Sequence, residues 1–198
     1  MYPNQQGDSA PGKWRIELRY LPLFHRGHAF LALVDDRGQT VRELHGLAYS
    51  KHTGKPMAMG PDGSDLKVED YDRRPDGKTD LGPRLNGDMS DISAVASGSR
   101  DPMKKTWARG VQTGAVINDK KFDYKAHDPA YEFGGRGGEI QNSNSVAFTL
   151  GKAMGLDLSD ALRDAGKTRT FSGWDRDLLD PKYKRYVAPP VFPVKDAP

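Results

Sequence analysis

The stretch Gln141-Asn142-Ser143-Asn144-Ser145-Val146-Ala147-Phe148-Thr149-Leu150-Gly151-Lys152-Ala153-Met154-Gly155-Leu156 sets a polar cluster directly before an apolar periodicity. Val146, Leu150, Ala153 and Met154 recur at i, i+4, i+7 and i+8, the spacing of one apolar helix stripe. Ser143 stands three residues before Val146 and seven before Leu150. It therefore heads the same stripe and is expected to face whatever the helix packs on. It also lies at the positive end of the helix dipole, where anionic character is favoured. Two readings fit: Ser and Asn are preferred N-cap residues, and an inward-facing hydroxyl at a helix start is a place to hold a nucleophile. Ser145 is rotated about 200° from Ser143 on a 3.6-residue helix and is expected to point off the stripe, so that Ser145→Ala would be nearly silent.

Composition bounds what surrounds this segment. A chain of 198 residues suits one domain. Apolar residues make up 36%, with 22 Gly and 14 Pro, and mean hydropathy is −0.75, so a loop-rich globular protein with a modest core is expected. Net charge is +3 with both signs interspersed, which makes nucleic acid a weak candidate partner. No apolar run approaches the roughly 20 residues needed to span a bilayer, and residues 1–13 contain no apolar signal region. The expectation for location is cytoplasmic, or exported by a leaderless route. There are no cysteines, which excludes disulfides, thiolate metal sites and a Cys nucleophile together.

Outward from the helix, the chain divides into a disordered lead-in at 1–13, a single domain at 14–187 and an extended tail at 188–198. Trp14, Ile16, Leu18 and Tyr20 alternate with polar residues as on a half-buried strand. Leu21 to Gly27 reads as a bend. His28 to Val34 is apolar on both faces, as in a central strand. Asp35-Asp36-Arg37-Gly38 reads as a hairpin turn, followed by a return strand from Thr40 to His45. Residues 50–90 form a polar excursion with a short strand near Leu66–Tyr71. Met103–Arg109 reads as a short helix and Gly114–Asn118 as a strand. Gly134–Gly138 reads as a hinge, and Ser159–Ala165 as a second helix capped by Ser159.

If Val34 pairs with Gln39 across the turn, His28 stands directly opposite His45, and Glu43 shares their face. Two imidazoles and a carboxylate then cluster at the open end of the hairpin. A one-residue slip would break that cluster, and the alternative is that the two histidines merely begin and end strands.

A strand beginning with His (HAFLALVDDRG, 28–38), a second His on the return strand (RELHG, 42–46) and Asn142-Ser143-Asn144-Ser145-Val146-Ala147 opening a helix resemble, in order and spacing, the circularly permuted NlpC/P60 superfamily. This is the papain-like group that includes lecithin:retinol acyltransferase-like proteins. The likeness is confined to these three short pieces. The resemblance implies an α+β fold, a small antiparallel sheet packed against a helix that bears the nucleophile. It also implies roles: Ser143 as nucleophile, His28 as general base, His45 as orienting group and Glu43 as fallback orienter. The family uses Cys where this chain has Ser143. A serine hydroxyl must be activated by a hydrogen-bonded His that a third group orients, so Ser143 and His28 are expected within hydrogen-bonding reach.

The activity implied is hydrolysis of an amide or ester through an acyl-enzyme. The oxyanion would be held by backbone N–H groups at the helix start and by a side-chain donor from Asn142 or Gln141. Family substrates are peptidoglycan stem peptides, other amides and lipid acyl esters. The polar excursion at 50–90 favours a polar amide, such as a cell-wall peptide. A bacterial effector or toxin domain is the setting this suggests, with an immunity or carrier protein as partner. No cofactor or metal is expected. Three alternatives stand beside it: a papain-like module that lost catalysis and binds, a metal site using His25 and His28 with Asp35 or Asp36, and a nucleic-acid-cleaving toxin using the pairs at Lys104-Lys105, Lys120-Lys121 and Lys182/Lys184.

Overall fold

The computed structural model describes residues 12–23, 26–57, 60–72, 90–126, 139–158, 160–163, 165–167 and 169–189. Among these, β1 (Trp14–Leu23), β2 (Arg26–Val34), β3 (Thr40–Tyr49), β4 (Pro56–Met57), β5 (Asp65–Asp72) and β6 (Ser90–Gly98) form one antiparallel sheet. The path runs β4-β3-β2-β1-β6, with β5 along β3. Two helices, α1 (Arg100–Asp119) and α2 (Ser143–Met154), complete an α+β architecture.

Period-two alternation assigns each strand residue to a face. Ile16, Leu18 and Tyr20 of β1, Ala29, Leu31 and Leu33 of β2, Leu44 of β3 and Leu66 and Val68 of β5 join Met103, Trp107 and Ile117 of α1 and Val146, Leu150 and Met154 of α2 in one core. The other face carries Glu17, Arg19, His28, Phe30, Glu43 and His45, all buried. β1 is thus buried on both sides rather than half-buried. Its polar side is tolerated because Arg19 Nε donates to Glu17 Oε2 at 2.7 Å and Arg19 Nη1 to Thr40 Oγ1 at 2.9 Å. A buried charge persists only when paired in this way.

Several expectations are corrected. Residues 100–119 form one helix of 20 residues, not a short helix and a strand. Its buried stripe is Met103, Trp107, Gly110, Gly114 and Ile117. Its two buried glycines are contact points: a Cβ at Gly110 would lie 2.6 Å from Met154 Sδ, and one at Gly114 would lie 2.8 Å from Val68 Cγ1. Of the region read as a bend, the described residues Leu21–Leu23, Arg26 and Gly27 belong to strands, because Leu21 pairs with His28, Pro22 with Gly27 and Leu23 with Arg26. Among the described residues, 160–163 form turns and Ala165–Lys167 a single 3-10 turn, so the second helix is not formed there. In α2, Ala147 is buried while Ala153 is exposed. The hinge at Gly134–Gly138, Ser159, His25 and most of the lead-in and tail lie outside the described residues.

The hairpin register also differs. Val34 stands opposite Thr40, not Gln39, and after a bulge the ladder continues as Leu33↔Arg42, Ala32↔Glu43 and Leu31↔Leu44. Asp35 causes the change. Its Oδ1 accepts the Arg37 and Gln39 N–H groups at 3.0 and 2.8 Å, and its own N–H donates to Gln39 O at 2.9 Å. That Asx arrangement absorbs one more residue than a four-residue loop. The ladder stops at Leu31↔Leu44, so His28 and His45 are not direct cross-strand partners. The shift together with the bulge preserves parity, however, and both rings remain on one face.

α2 lies across β2 and β3. The approach is close at Gly46, where a Cβ would sit 2.6 Å from Val146 Cβ. Gly46→Ala should therefore lower stability by about 1–3 kcal/mol, the usual range for an overpacked core site, measured as the shift in denaturant midpoint at unchanged slope.

Candidate active site

Beyond Leu31↔Leu44 the β2–β3 ladder is interrupted, and two β2 amides find other acceptors. Gly27 N–H donates to Thr170 O at 3.2 Å, within a parallel bridge between Arg26 and Thr170. Ala29 N–H donates to Asn144 Oδ1 at 2.9 Å. The start of α2 is thereby fastened beside His28, the residue between those two amides.

The helix start is heavily capped. Asn142 is the N-cap: its Oδ1 accepts the Asn144 and Ser145 N–H groups at 2.9 and 3.2 Å, and its backbone O accepts Val146 N–H. Ser145 Oγ accepts Asn142 N–H at 2.8 Å and closes a capping box. Its Oγ also donates to Asn142 O at 2.9 Å. Ser145 is thus fully buried and structural, so Ser145→Ala is expected to be felt in stability rather than in turnover. Losing its part in the box should cost on the order of 1 kcal/mol. Ser143 is the first helical residue and not the cap. The only hydrogen-bond contact of its side chain among the described residues is Oγ to Asn144 Oδ1 at 3.5 Å, long enough to leave the hydroxyl nearly uncommitted.

On the opposite face, His28 Nε2 lies 3.1 Å from His45 Nδ1, and His45 Nε2 lies 3.5 Å from Glu43 Oε2. The rings stack, His28 on His45 at 5.5 Å and Phe30 on His45 at 4.3 Å between centroids, while Tyr71 meets His45 edge-on at 5.9 Å. Burial first, and repulsion by His45 second, push His28 down to about 3, so it is a neutral imidazole near neutral pH. One tautomer assignment satisfies the chain throughout. His45 Nε2–H points at the Glu43 carboxylate, His45 Nδ1 accepts from His28 Nε2–H, and the lone pair of His28 is left on Nδ1.

The structure therefore brings together His28, His45 and Glu43, in that order along one row of side chains. No hydrogen bond joins Ser143 to His28 among the described residues, so that expected contact is not formed in this state. The two are linked indirectly, Ser143 Oγ to Asn144 Oδ1 to Ala29 N–H. The side-chain N–H groups of Gln141 and Asn142, expected as oxyanion donors, are engaged elsewhere. Gln141 Nε2 donates to Asp123 O and Tyr186 O, and its Oε1 accepts Tyr186 N–H. Asn142 Nδ2 donates to Ala126 O and Ser172 O. Both amides are fully used in bracing the helix start. Of the first-turn amides, that of Ser143 alone has no partner among the described residues. The sequence reading passed over Asn144 and Ser172. Asn144 resembled one more capping residue, and Ser172 sits in a loop with no motif.

Among the described residues no cluster of three or more His, Cys, Asp or Glu side chains is arranged to hold a metal ion. Asp35 is engaged in its turn. No helix among them is long and apolar enough to cross a membrane. Two clefts lie away from this site, one along Ser93–Ser97 with Asp157 and Asp160, the other between Trp14, Val41 and Trp107.

Comparison of the chain with protein-family models, curated proteins and solved structures finds no match. The site's own geometry must carry any functional reading.

Because His28 titrates at 6.5 when unfolded and at about 3 when folded, its contribution to stability is complete above 6.5 and is lost as pH falls below that, levelling near 3. The unfolded chain binds the extra proton in this window, and the slope approaches about 1.4 kcal/mol per pH unit. Denaturant unfolding at pH 7, 6 and 5 should show this decline, and His28→Asn should flatten it.

Proposed function

We propose that the protein is a Ser/His hydrolase of the permuted papain-like kind, cleaving an amide or ester through an acyl-enzyme on Ser143. The observation that carries the reading is the ordered Glu43–His45–His28 chain. It ties up His28 Nε2 and leaves Nδ1 as the ring nitrogen available to take a proton. Ser143, at the positive end of α2 with a nearly uncommitted hydroxyl, is the nucleophile this base would serve.

Ser143 Oγ attacks the carbonyl carbon while its proton passes to His28 Nδ1. The imidazolium formed at a buried position needs compensation, and Glu43 behind His45 provides it. The oxyanion is met by the Ser143 N–H group. Collapse of the tetrahedral intermediate expels the leaving amine or alcohol, which takes the proton from His28. Water then attacks the acyl-serine, giving its proton to His28 and later returning it to Ser143. Because α2 and the His28 ring lie on opposite faces of the sheet, the reading requires Ser143 Oγ to reach His28 through the opening where β2 and β3 part, a contact that forms only when substrate seats. A polar amide, such as a peptidoglycan stem peptide, remains the favoured substrate over a lipid acyl ester, and an effector or toxin setting the favoured context.

A second reading, a papain-like module that binds without catalysis, is favoured by one observation: Ser143 and His28 are each only 6% exposed. Reaction with a fluorophosphonate, located by peptide mapping, separates the two. Labelling at Ser143 is expected for the hydrolase, and none for the binder. In turnover of a peptidoglycan fragment and a simple ester, Ser143→Ala should abolish activity with the fold intact, and Ser143→Cys should retain part of it. His28→Ala should cost about 10³-fold or more, the scale of losing a triad member. Wild-type rates surviving in Ser143→Ala would remove Ser143 from the mechanism.

A further inference from the structure

We propose that Asn144 is a positioning residue that sets the distance between Ser143 and His28, standing in for the strand carbonyl that β3 does not supply at Ala29. This rests on the hydrolase reading.

The argument begins with backbone pairing. A buried strand amide needs an acceptor, and with the β2–β3 ladder ending at Leu31↔Leu44 the amides of Gly27 and Ala29 lose theirs. Thr170 O serves Gly27. Ala29 is served by a side chain, Asn144 Oδ1 at 2.9 Å. Asn144 is 4% exposed, and its Nδ2 donates to Ser172 O at 3.1 Å. That same carbonyl accepts Asn142 Nδ2 at 3.0 Å. The result is a closed circuit from Gly27 through the 170–172 segment and Asn144 back to Ala29, with His28 in its middle.

Among the described residues, Asn144 Oδ1 supplies the only hydrogen bond between α2 and β2. It holds the residue after the nucleophile against the residue after the base. Its Oδ1 is also the contact of the Ser143 hydroxyl at 3.5 Å. The capping box holds the helix start together from within and makes no bond to β2. Helix integrity and nucleophile placement are therefore assigned to different side chains, Ser145 and Asn144, and can be separated by substitution.

The experiment measures the second-order rate of fluorophosphonate labelling at Ser143 against pH, beside the denaturant midpoint, for wild type, Asn144→Ala, Asn144→Asp and Ser145→Ala. Asn144→Ala should slow labelling by about 100-fold, the cost of misplacing a reacting group by about 1 Å. Asn144→Asp keeps an acceptor for Ala29 N–H and should recover most of that rate. Ser145→Ala should lower the midpoint yet leave the labelling rate within about threefold, an allowance well inside the 100-fold effect of displacement. If Asn144→Ala does not fold, Asn144→Ser, too short to reach Ala29, is read in its place with the same expected loss. A wild type labelled at Ser143 whose rate is unchanged in the Ala or Ser variant overturns this proposal alone. So does an Asp variant as slow as Ala, or a rate that simply follows the midpoint across all variants. A wild type that no fluorophosphonate labels removes the hydrolase reading and this proposal together.

Discussion

Everything around the candidate site depends on the parting of β2 from β3. Buried backbone donors must be paired, so a strand that loses its neighbour halfway along needs substitutes for each amide left behind. Here the substitutes are Thr170 O at Gly27 and Asn144 Oδ1 at Ala29. One is a backbone segment lying alongside β2, and a Cβ at Gly27 would reach within 2.1 Å of the Phe171 ring. The other is a side chain at the start of α2. The site exists because the ladder opens where it does. A continuous β2–β3 ladder would leave no amide at Ala29 for the helix start to bind.

The two faces of the sheet solve different problems. The helix-bearing face is an apolar core in which small residues, Gly46 on β3 and Gly110 and Gly114 on α1, set how near the layers come. The opposite face buries ionisable groups and must satisfy them locally. Glu17 and Arg19 do so as an ion pair on one strand. Glu43, His45 and His28 do so as a relay, close between His28 Nε2 and His45 Nδ1 at 3.1 Å and long between His45 Nε2 and Glu43 Oε2 at 3.5 Å. Stacking of Phe30 on His45 restricts the ring that sits in the middle of that relay. A histidine held neutral by its surroundings is destabilising to protonate and therefore ready to accept a proton only if the resulting charge is compensated.

The polar cluster before α2 divides its work more finely than its composition suggests. Asn142 and Ser145 cap one another and the helix, and Gln141 fastens the C-terminal segment through Tyr186. Asn144 reaches out of the helix to β2. Ser143 is the member left almost without a bond. Five neighbouring polar residues thus divide among four distinct environments, and the side chain of Ser143 is the least engaged of them.

The alternation of Trp14–Tyr20, the apolar run of His28–Val34, the turn residues at Asp35–Gly38 and the stripe of Val146, Leu150 and Met154 were legible because each is a local signal read against a fixed period. The register that pairs Val34 with Gln39 puts His28, His45 and Glu43 on one face, and the grouping survives in the fold because a one-residue shift and a bulge together move the register by two. The sequence by itself determined the α+β class, the strands of the hairpin, the amphipathic helix and this grouping. Tertiary structure decided the rest. It joined residues 100–119 into one helix, because close packing against Met154 and Val68 outweighs the breaking tendency of Gly110 and Gly114. It committed Gln141 and Asn142 to bracing, because their partners Asp123, Ala126, Ser172 and Tyr186 are distant in sequence. It gave Asn144 its reach to Ala29, because a hydrogen bond across 115 positions leaves no periodic trace in a chain: only the folded sheet, opened at Leu31, creates the unpaired amide that calls for it.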